Sequence, residues 1–497
     1  MNDNKIYSFT YISVILILIL AIVACREGNN NVSLTPDTTE TIYDILVDAN
    51  LPKGRVSPLL MGFGTIYSFE KDEMWQNGQG MMPSMLKRFN TGILRYPGGA
   101  LVNRYHWNNL NGEGWKDNWN PNYDTANDKD PREYMDVDEY MMNVQAIDAE
   151  PMLGINMGSG LKYDRVQDGI DEAVALVKYC EEHGYAVRYW YLDNEPYHDG
   201  ANYKMTAAEY AEQINLYVPA MKAINPDIEI IVNWKHNITS ENNSLITLIE
   251  AAGKHIDIVE VHWYWQWGES SFNLWKDNSP MSTKNKWYNG GSYADEIMAF
   301  KPLMNSLGYP HIKLASNEWN IGPSASEASH PSKFESALMQ SEMFSQYIDA
   351  GMHMACFWGA YWPLAEQGTN TVNRYLLDPT DDYSQNPSVT MFELFADAMG
   401  REQVECRSMI SDVYDIAIRD DVNDQLIIYV LNKKDSGESL STGIKIKGYE
   451  IGAVNAISFV DKMMSESHLA GTDVKVEDDR LILHLPKNSL TKIVVKR

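Results

Sequence analysis

Val187-Arg188-Tyr189-Trp190-Tyr191-Leu192-Asp193-Asn194-Glu195-Pro196 is the stretch on which the architecture turns. A run dominated by aromatic and aliphatic residues passes straight into an acidic, polar turn closed by proline, the pattern of a buried strand that stops at Leu192. Ahead of it, Val166, Ile170, Val174, Leu176, Val177 and Cys180 recur at helical spacing until Gly184 breaks the run, which predicts a helix over Val166 to His183. Behind it, Thr206 with Glu209 three residues on forms a capping-box pattern that opens a second helix, running to Ile224. A short buried strand between two amphipathic helices is the repeating unit of a parallel α/β sheet.

The same alternation extends from Val56 to Tyr361. Eight apolar runs recur: Val56 to Thr65, Gly92 to Tyr96, Pro151 to Asn156, Val187 to Leu192, Ile228 to Trp234, Ile256 to Tyr264, Ile312 to Ser316 and Met352 to Trp358. Eight strands with helices between them predict an α/β fold of the (β/α)8 TIM-barrel type. After Met399 the helical period disappears, and Gln425 to Leu431, Gly443 to Ile446 and Arg480 to Leu485 follow one another between turn residues, as in a C-terminal β-sandwich. Tyr43 to Asp48 is strand-like and precedes the barrel, placed to return and join that sandwich. The expected organisation is therefore a leader at 1–25, a polar tether at 26–42, a joining strand at 43–55, the barrel at 56–398 and the sandwich at 399–497.

The chain has 497 residues, 44% of them hydrophobic, ample for a large core and a smaller module. Its 41 basic and 68 acidic residues leave a net charge of −27, which repels phosphate backbones and argues against nucleic acid as a partner. Fourteen Trp and 29 Tyr supply flat rings suited to stacking on neutral ligands such as sugars. At the start, Lys5 precedes an uncharged apolar run from Tyr11 to Ala24, which reads as a signal peptide. Ile22-Val23-Ala24-Cys25 resembles the lipobox of bacterial lipoproteins; the resemblance implies lipidation at Cys25 and anchoring to a bacterial membrane, facing the periplasm or the cell surface. The other reading of this run is an uncleaved anchor, for which it is short. Cys180, Cys356 and Cys406 are an odd set without CxxC spacing, read as buried free thiols.

Residues that do chemistry on a barrel of this kind stand at the C-terminal ends of its strands. Glu195 follows the fourth run and Glu318, in Ser316-Asn317-Glu318-Trp319-Asn320, follows the seventh. The fourth and seventh strands face each other, so the two carboxyl groups reach into one mouth from opposite sides. That is the arrangement for flanking a glycosidic bond, with one group a protonated acid and the other an ionised nucleophile.

With these motifs the chain resembles the clan A glycoside hydrolases, in which an Asn-Glu pair after the fourth strand supplies the acid/base and a Glu after the seventh the nucleophile. Within the clan it is most similar to the α-L-arabinofuranosidase family, family 51. Leu94-Arg95-Tyr96-Pro97-Gly98-Gly99, Tyr105-His106-Trp107, Val261-His262-Trp263-Tyr264 and Asn317-Glu318-Trp319-Asn320 carry the likeness. It implies Glu195 as acid/base and Glu318 as nucleophile, Arg95 holding the nucleophile ionised, and Asn194 donating to the hydroxyl beside the anomeric carbon. It further implies His262 and Tyr264 as a polar floor near Glu318, and Trp358 as an apolar wall under the sugar. Retaining hydrolysis by this route calls for no cofactor.

Two departures bear on the substrate. The first run offers no acid until Glu70, where the family has one that grips the terminal furanose, and Ala100 follows Pro-Gly-Gly, with Asn103 three residues on. The loop after the sixth run holds Trp263, Trp265, Trp267, Trp275 and Trp287 among polar neighbours, an expected set of stacking platforms, with Trp265 and Trp267 as candidate substrate contacts. These features leave open an endo-acting β-glycanase of the agarase or porphyranase type and a β-xylosidase-like activity. A surface glycan-binding lipoprotein without catalysis is the alternative of another class. The histidines are scattered without HExxH spacing, so no metal site is expected.

Overall fold

A computed structural model describes residues 44–65, 72–108, 116–128, 135–235, 238–239, 242–278, 280–282, 291–361, 369–434, 439–462 and 467–497. Cys25, the tether, Glu70 and Trp287 lie outside the described residues.

The chain enters along β1 (Ile45–Arg55) and then builds a closed parallel barrel in sequence order: β2 (Gly62–Gly64), β3 (Ile93–Tyr96), β4 (Glu150–Ile155), β5 (Tyr189–Leu192), β6 (Glu229–Asn233), β7 (Ile258–Trp265), β8 (Lys313–Ile321) and β9 (Met354–Phe357). Pairing of Gly62 with Cys356 closes the ring between β2 and β9. The expected eight-stranded barrel is thus present, though its first strand is much shorter than the run Val56 to Thr65. Pro58 has no N–H to give a ladder, and Ser57 caps a 3-10 turn over Pro58–Leu60 instead. Helices Val166–Glu182 and Ala207–Lys222 pack outside, the latter held at its start by the reciprocal Thr206–Glu209 capping box.

Strand alternation layers the barrel interior. Ile93, Met152, Tyr189, Ile231, Ile258, Ala315 and Met354 form one apolar cluster. Two residues further along their strands come Arg95, Gly154, Tyr191, Asn233, Glu260, Asn317 and Cys356, a layer that is largely polar and fully or almost fully buried. Gly154 is required here, because a Cβ at this position would meet the Tyr191 ring at 2.4 Å.

A small hairpin, β10 (Leu377–Asp378) with β11 (Ser384–Gln385), and the helix Pro387–Phe395 lead out of the barrel. The remaining strands are β12 (Glu402–Ser408), β13 (Val413–Asp420), β14 (Gln425–Asn432), β15 (Ser439–Lys447), β16 (Val454–Phe459), β17 (Leu469–Gly471), β18 (Val474–Glu477), β19 (Arg480–Pro486) and β20 (Ser489–Lys496). They join β1 in one ten-stranded sheet of order β17-β16-β20-β14-β13-β12-β1-β15-β19-β18. The expected C-terminal β-sandwich is present, and its hydrogen bonding is continuous, because β1 bridges β12 on one side and β15 on the other. The sheet curls so that β19 meets β20, enclosing a core that includes Val47, Val404, Ile428, Ile444, Leu483 and Ile493.

This sheet grips the barrel through a buried charge. Lys433, just after β14, reaches Glu342 on the helix Lys333–Asp349 at 2.9 Å, and both side chains are essentially inaccessible. Glu342 also accepts from Trp275 Nε1 at 2.7 Å and from the Met281 backbone, while the Lys433 ammonium sits 4.5 Å from the Trp275 ring centroid. Cys180, Cys356 and Cys406 are free; the first two are buried, and Cys406 is partly exposed and donates to Asp415.

Removing one partner of a buried ion pair leaves the other charge uncompensated. Lys433→Ala is therefore expected to lower unfolding stability by about 3 kcal/mol, read from the urea midpoint. A loss well under 1 kcal/mol (roughly a surface pair's worth) would show that the junction is solvated.

Candidate active site

Arg95 at the top of β3 has no exposed surface and lies under the barrel mouth. It donates from Nη1 to Glu318 Oε1 at 2.9 Å and to the Asn317 carbonyl at 3.2 Å, and from Nη2 to Asn194 Oδ1 at 2.8 Å. Burial alone would weaken its hold on the proton, but the Tyr191 ring beside it, at 4.5 Å, and the charges of Glu318 and Glu260 raise its pKa instead. Because a guanidinium can only donate, the Asn194 oxygen must face it, which turns the amide N–H groups of Asn194 away from Arg95.

Glu318 owes its orientation to a bulge. Glu260 pairs with Ala315, yet His262 pairs with Glu318, so β8 carries one extra residue against β7. Ala315 and Asn317 face inward; simple alternation would send Glu318 outward, and the extra residue brings its carboxylate to the inner face. There Oε2 accepts from Tyr264 OH at 2.9 Å while Oε1 holds Arg95.

Glu195 sits on a turn in which Asp193 and Glu195 both take positive φ, 60° and 45°. Such backbone is costly for residues with a Cβ, and it persists because neighbours hold it. Asn233 accepts the Glu195 N–H at 2.9 Å, and Asn103 clamps Asn194 from both sides, accepting its N–H at 2.8 Å and donating to its carbonyl at 2.9 Å. Asp193 is buried, and that burial pushes its carboxyl up to about 7 against the backbone N–H groups of Gly158 and Asn194.

His262 links the two carboxylates. Its Nδ1 is 2.9 Å from Glu195 Oε1 and 3.5 Å from Glu318 Oε2, and its Nε2 is 3.3 Å from Glu260. Burial works against the imidazolium, but the charges of Glu318 and Glu260 and the hydrogen bond to Glu195 outweigh it and push the pKa up to about 10. Tyr105-His106-Trp107 plays a supporting part: His106 lies between Glu172 at 2.9 Å and Asp117 at 3.2 Å. Asp117 in turn accepts from Asn202, which donates to the Asn103 carbonyl at 2.8 Å, so this network stiffens the Asn103 clamp.

The aromatic candidates separate. Trp358, 9% exposed at the end of β9, lies over the backbone of Gly64, Gly98 and Gly99; a Cβ at Gly99, whose φ is 57°, would strike its ring at 2.6 Å. Trp267 is 48% exposed and stands edge-on to Tyr264 at 5.2 Å, beside the nucleophile candidate. Trp265 is not a substrate contact: it is 1% exposed and donates to the Ser282 carbonyl at 2.9 Å. The reason is strand parity. His262 and Tyr264 point into the barrel, so Trp263 and Trp265 point out beneath the helices and are core, as Trp275 is at the Lys433 junction. The expected row of platforms reduces, among the described residues, to Trp267.

Sequence reasoning passed over Glu260, Asn233 and Asn317, and gave Asn103 no role beyond marking a departure. Glu260 was detectable, being two residues before His262 and hence on the same strand face. Among the described residues no group of three His, Cys, Asp or Glu side chains is arranged to hold a metal.

Residues 85–279 match the Alpha-L-arabinofuranosidase 1 domain, a span that includes Arg95, Asn194, Glu195, His262 and Tyr264. A probable alpha-L-arabinofuranosidase C of Aspergillus clavatus is 27% identical over 264 residues, 48% of this chain and 49% of that one. Alpha-L-arabinofuranosidase C of Emericella nidulans is 30% identical over 171 residues, 31% of this chain and 32% of that one. The matches thus span half or less of these relatives' length. The crystal structure of an alpha-L-arabinofuranosidase from Thermotoga maritima, an arabinose complex, shares the fold with a TM-score of 0.70 at 19% identity, over 92% of this chain and all of that one. In its motifs and in its matching domain, this chain is similar to the α-L-arabinofuranosidase family of the clan A glycoside hydrolases.

Proposed function

We propose that the protein is a retaining glycoside hydrolase, arabinofuranosidase-like, acting on plant or algal polysaccharide or its oligosaccharides. The observation that carries this reading is the shared contact of Glu195 and Glu318 with one imidazole nitrogen, His262 Nδ1. Contacts of 2.9 and 3.5 Å to one nitrogen bring the two carboxyl groups together at the barrel mouth, the side-by-side placement on which a retaining pair about 5–5.5 Å apart depends. Glu318, held by Arg95 and by Tyr264, attacks the anomeric carbon. Glu195 donates a proton to the departing oxygen and then takes one from the water that releases the sugar. The N–H groups of Asn194 are turned toward the hydroxyl next to the reacting carbon, where a hydrogen bond strengthens as positive charge develops.

For substrate reach, Trp267, the exposed ring of the tryptophan set among the described residues, supports a stacking subsite next to the reacting sugar. The Cys25 motif supports delivery across the inner membrane and a lipid anchor on a bacterial membrane, facing the periplasm or the cell surface.

Glu318→Ala is expected to abolish turnover of every substrate. Glu195→Ala should lose about 10²–10⁴-fold on ordinary glycosides. It should spare the first step on nitrophenyl glycosides, and azide should rescue it as a glycosyl azide of unchanged configuration. NMR of the first-formed sugar reads the stereochemistry, and an inverted product would remove the nucleophile role from Glu318. On a panel of nitrophenyl glycosides, arabinan, arabinoxylan, agarose and porphyran, Trp267→Ala should reduce kcat/KM about 10-fold for oligosaccharides, the worth of one stacked ring. Trp265→Ala should instead lower stability by about 3–5 kcal/mol, as loss of a buried Trp does. A Trp265 variant of native stability with altered chain-length preference would return that ring to the cleft. Fatty-acid labelling of the mature protein should be lost in Cys25→Ser; equal labelling of both would remove the anchor.

A further inference from the structure

The motif Asn317-Glu318-Trp319-Asn320 ends on a residue to which the reaction outlined above gives no part. Asn320 lies two residues beyond Glu318 on β8, opposite Tyr264 of β7, and so on the strand face that looks into the barrel. A polar side chain at such a place is a candidate sugar contact. Asn320, however, has no exposed surface, and its amide is fully engaged inside the protein. Nδ2 donates to the Trp358 carbonyl at 2.7 Å and to the Arg374 carbonyl at 2.9 Å, while Oδ1 accepts from Gln340 Nε2 at 2.8 Å and from the Ile321 N–H at 2.7 Å. Two donors and two acceptor sites are all that an amide side chain offers.

The partners are held in turn. Gln340, on the helix Lys333–Asp349, donates also to the Arg374 carbonyl at 2.8 Å and accepts from Ser388 Oγ at 2.7 Å. Arg374 ends the 3-10 segment Thr369–Arg374 and donates from Nη1 to the Ile321 carbonyl at 2.8 Å. Asn320, Gln340 and Ser388 are inaccessible, and Arg374 is nearly so. Burying polar groups costs desolvation that an apolar core avoids, and the compensating effect of such a network is a defined geometry for each bonded member.

The residue so defined is Trp358. Its N–H donates to the Trp319 carbonyl at 3.2 Å and its carbonyl accepts the Asn320 amide, so the two residues that follow Glu318 hold both backbone groups of Trp358. The ring itself lies against Gly64, Gly98 and Gly99, where an added Cβ would come 2.9, 3.3 and 2.6 Å from it. The glycines stop the ring from moving toward them, and the Asn320 hydrogen bond opposes its movement away.

We propose that Asn320 is a positioning residue that fixes the Trp358 ring relative to Glu318, so that three consecutive residues of β8 set both the nucleophile and the wall under the sugar. The proposal deepens the reading of the site given above and rests on it for the role of Trp358; Asn320 itself touches no substrate.

The test joins a structure to a mutant cycle on the full chain. In a crystal structure of Asn320→Ala, the Trp358 ring should stand about 1 Å or more away from Gly98 and Gly99, a misplacement of the size that costs about 10²-fold in rate. On the nitrophenyl glycoside that the wild type cleaves fastest, Asn320→Ala should lower kcat/KM by about that factor. Introduced into Trp358→Ala, the same change should cost roughly 3-fold or less, because the ring it positions is gone; in Trp267→Ala it should keep its full effect. A role in folding alone would multiply equally through both backgrounds. An unmoved ring in Asn320→Ala, or an equal loss with and without Trp358, would overturn the proposal. Should Asn320→Ala fail to fold, Ser388→Ala loosens the network from its far end. It should lower kcat/KM about 3-fold where Trp358 is present and leave Trp358→Ala unchanged, the worth of one hydrogen bond. The same factor in both backgrounds, or no change in either, would overturn the proposal. Wild-type protein inactive on every glycoside would overturn the hydrolase reading, while the ring position in Asn320→Ala would still decide whether Asn320 holds Trp358.

Discussion

The salt bridge between Arg95 and Glu318 crosses the barrel interior from β3 to β8 and organises everything at its mouth. A guanidinium buried away from water needs acceptors from the protein, and the two terminal nitrogens of Arg95 find a carboxylate, a carbonyl and an amide oxygen supplied by β8 and by the turn after β5. The bridge therefore determines three things together: the placement of the Glu318 carboxylate, the direction of the Asn194 amide, and the spacing of two barrel strands that do not pair with each other. Space for the guanidinium comes from its own layer, where Gly154 leaves room for the Tyr191 ring beside which Arg95 lies.

Backbone irregularity does the rest of the positioning. A regular β8 would point Glu318 at the surrounding helices, and the extra residue before it turns the carboxylate inward. At the opposite strand end, positive φ at Asp193 and Glu195 bends the chain sharply enough to lift the second carboxyl into the same space. Both distortions are held by buried amides, Asn233 for Glu195 and Asn103 for Asn194, with the His106, Asp117 and Asn202 network behind the latter. The rigid barrel offsets the local strain, which is why such distortions concentrate where chemistry is done.

The curled sheet also bears on the mouth, at one remove. Lys433 and Glu342 join it to the barrel at the point where Trp275 and Met281 anchor the segment after β7, and Trp267 stands at the start of that same segment. The Lys433 junction thereby braces a segment whose other end presents the exposed ring to solvent.

Local chemistry made much of this legible in the sequence alone. The eight apolar runs, the Thr206–Glu209 box and the placement of Glu195 and Glu318 just past strand ends all depend on residues near one another in the chain, so periodicity and capping reveal them. What neighbours along the chain do not determine, only the tertiary structure decided. Pro58 shortened the first strand to Gly62–Gly64, and the continuity of the ten-stranded sheet depends on β1 meeting β15 nearly four hundred residues later. Strand parity, which becomes meaningful once the barrel supplies an inside and an outside, sent Trp265 into the core and left Trp267 in solvent. Glu260 stands in an apolar run of the sequence, and its partners lie on the same strand two residues ahead and on β8. Side-chain type is written in the sequence, whereas the burial and charge surrounding each side chain exist only after distant strands are brought together.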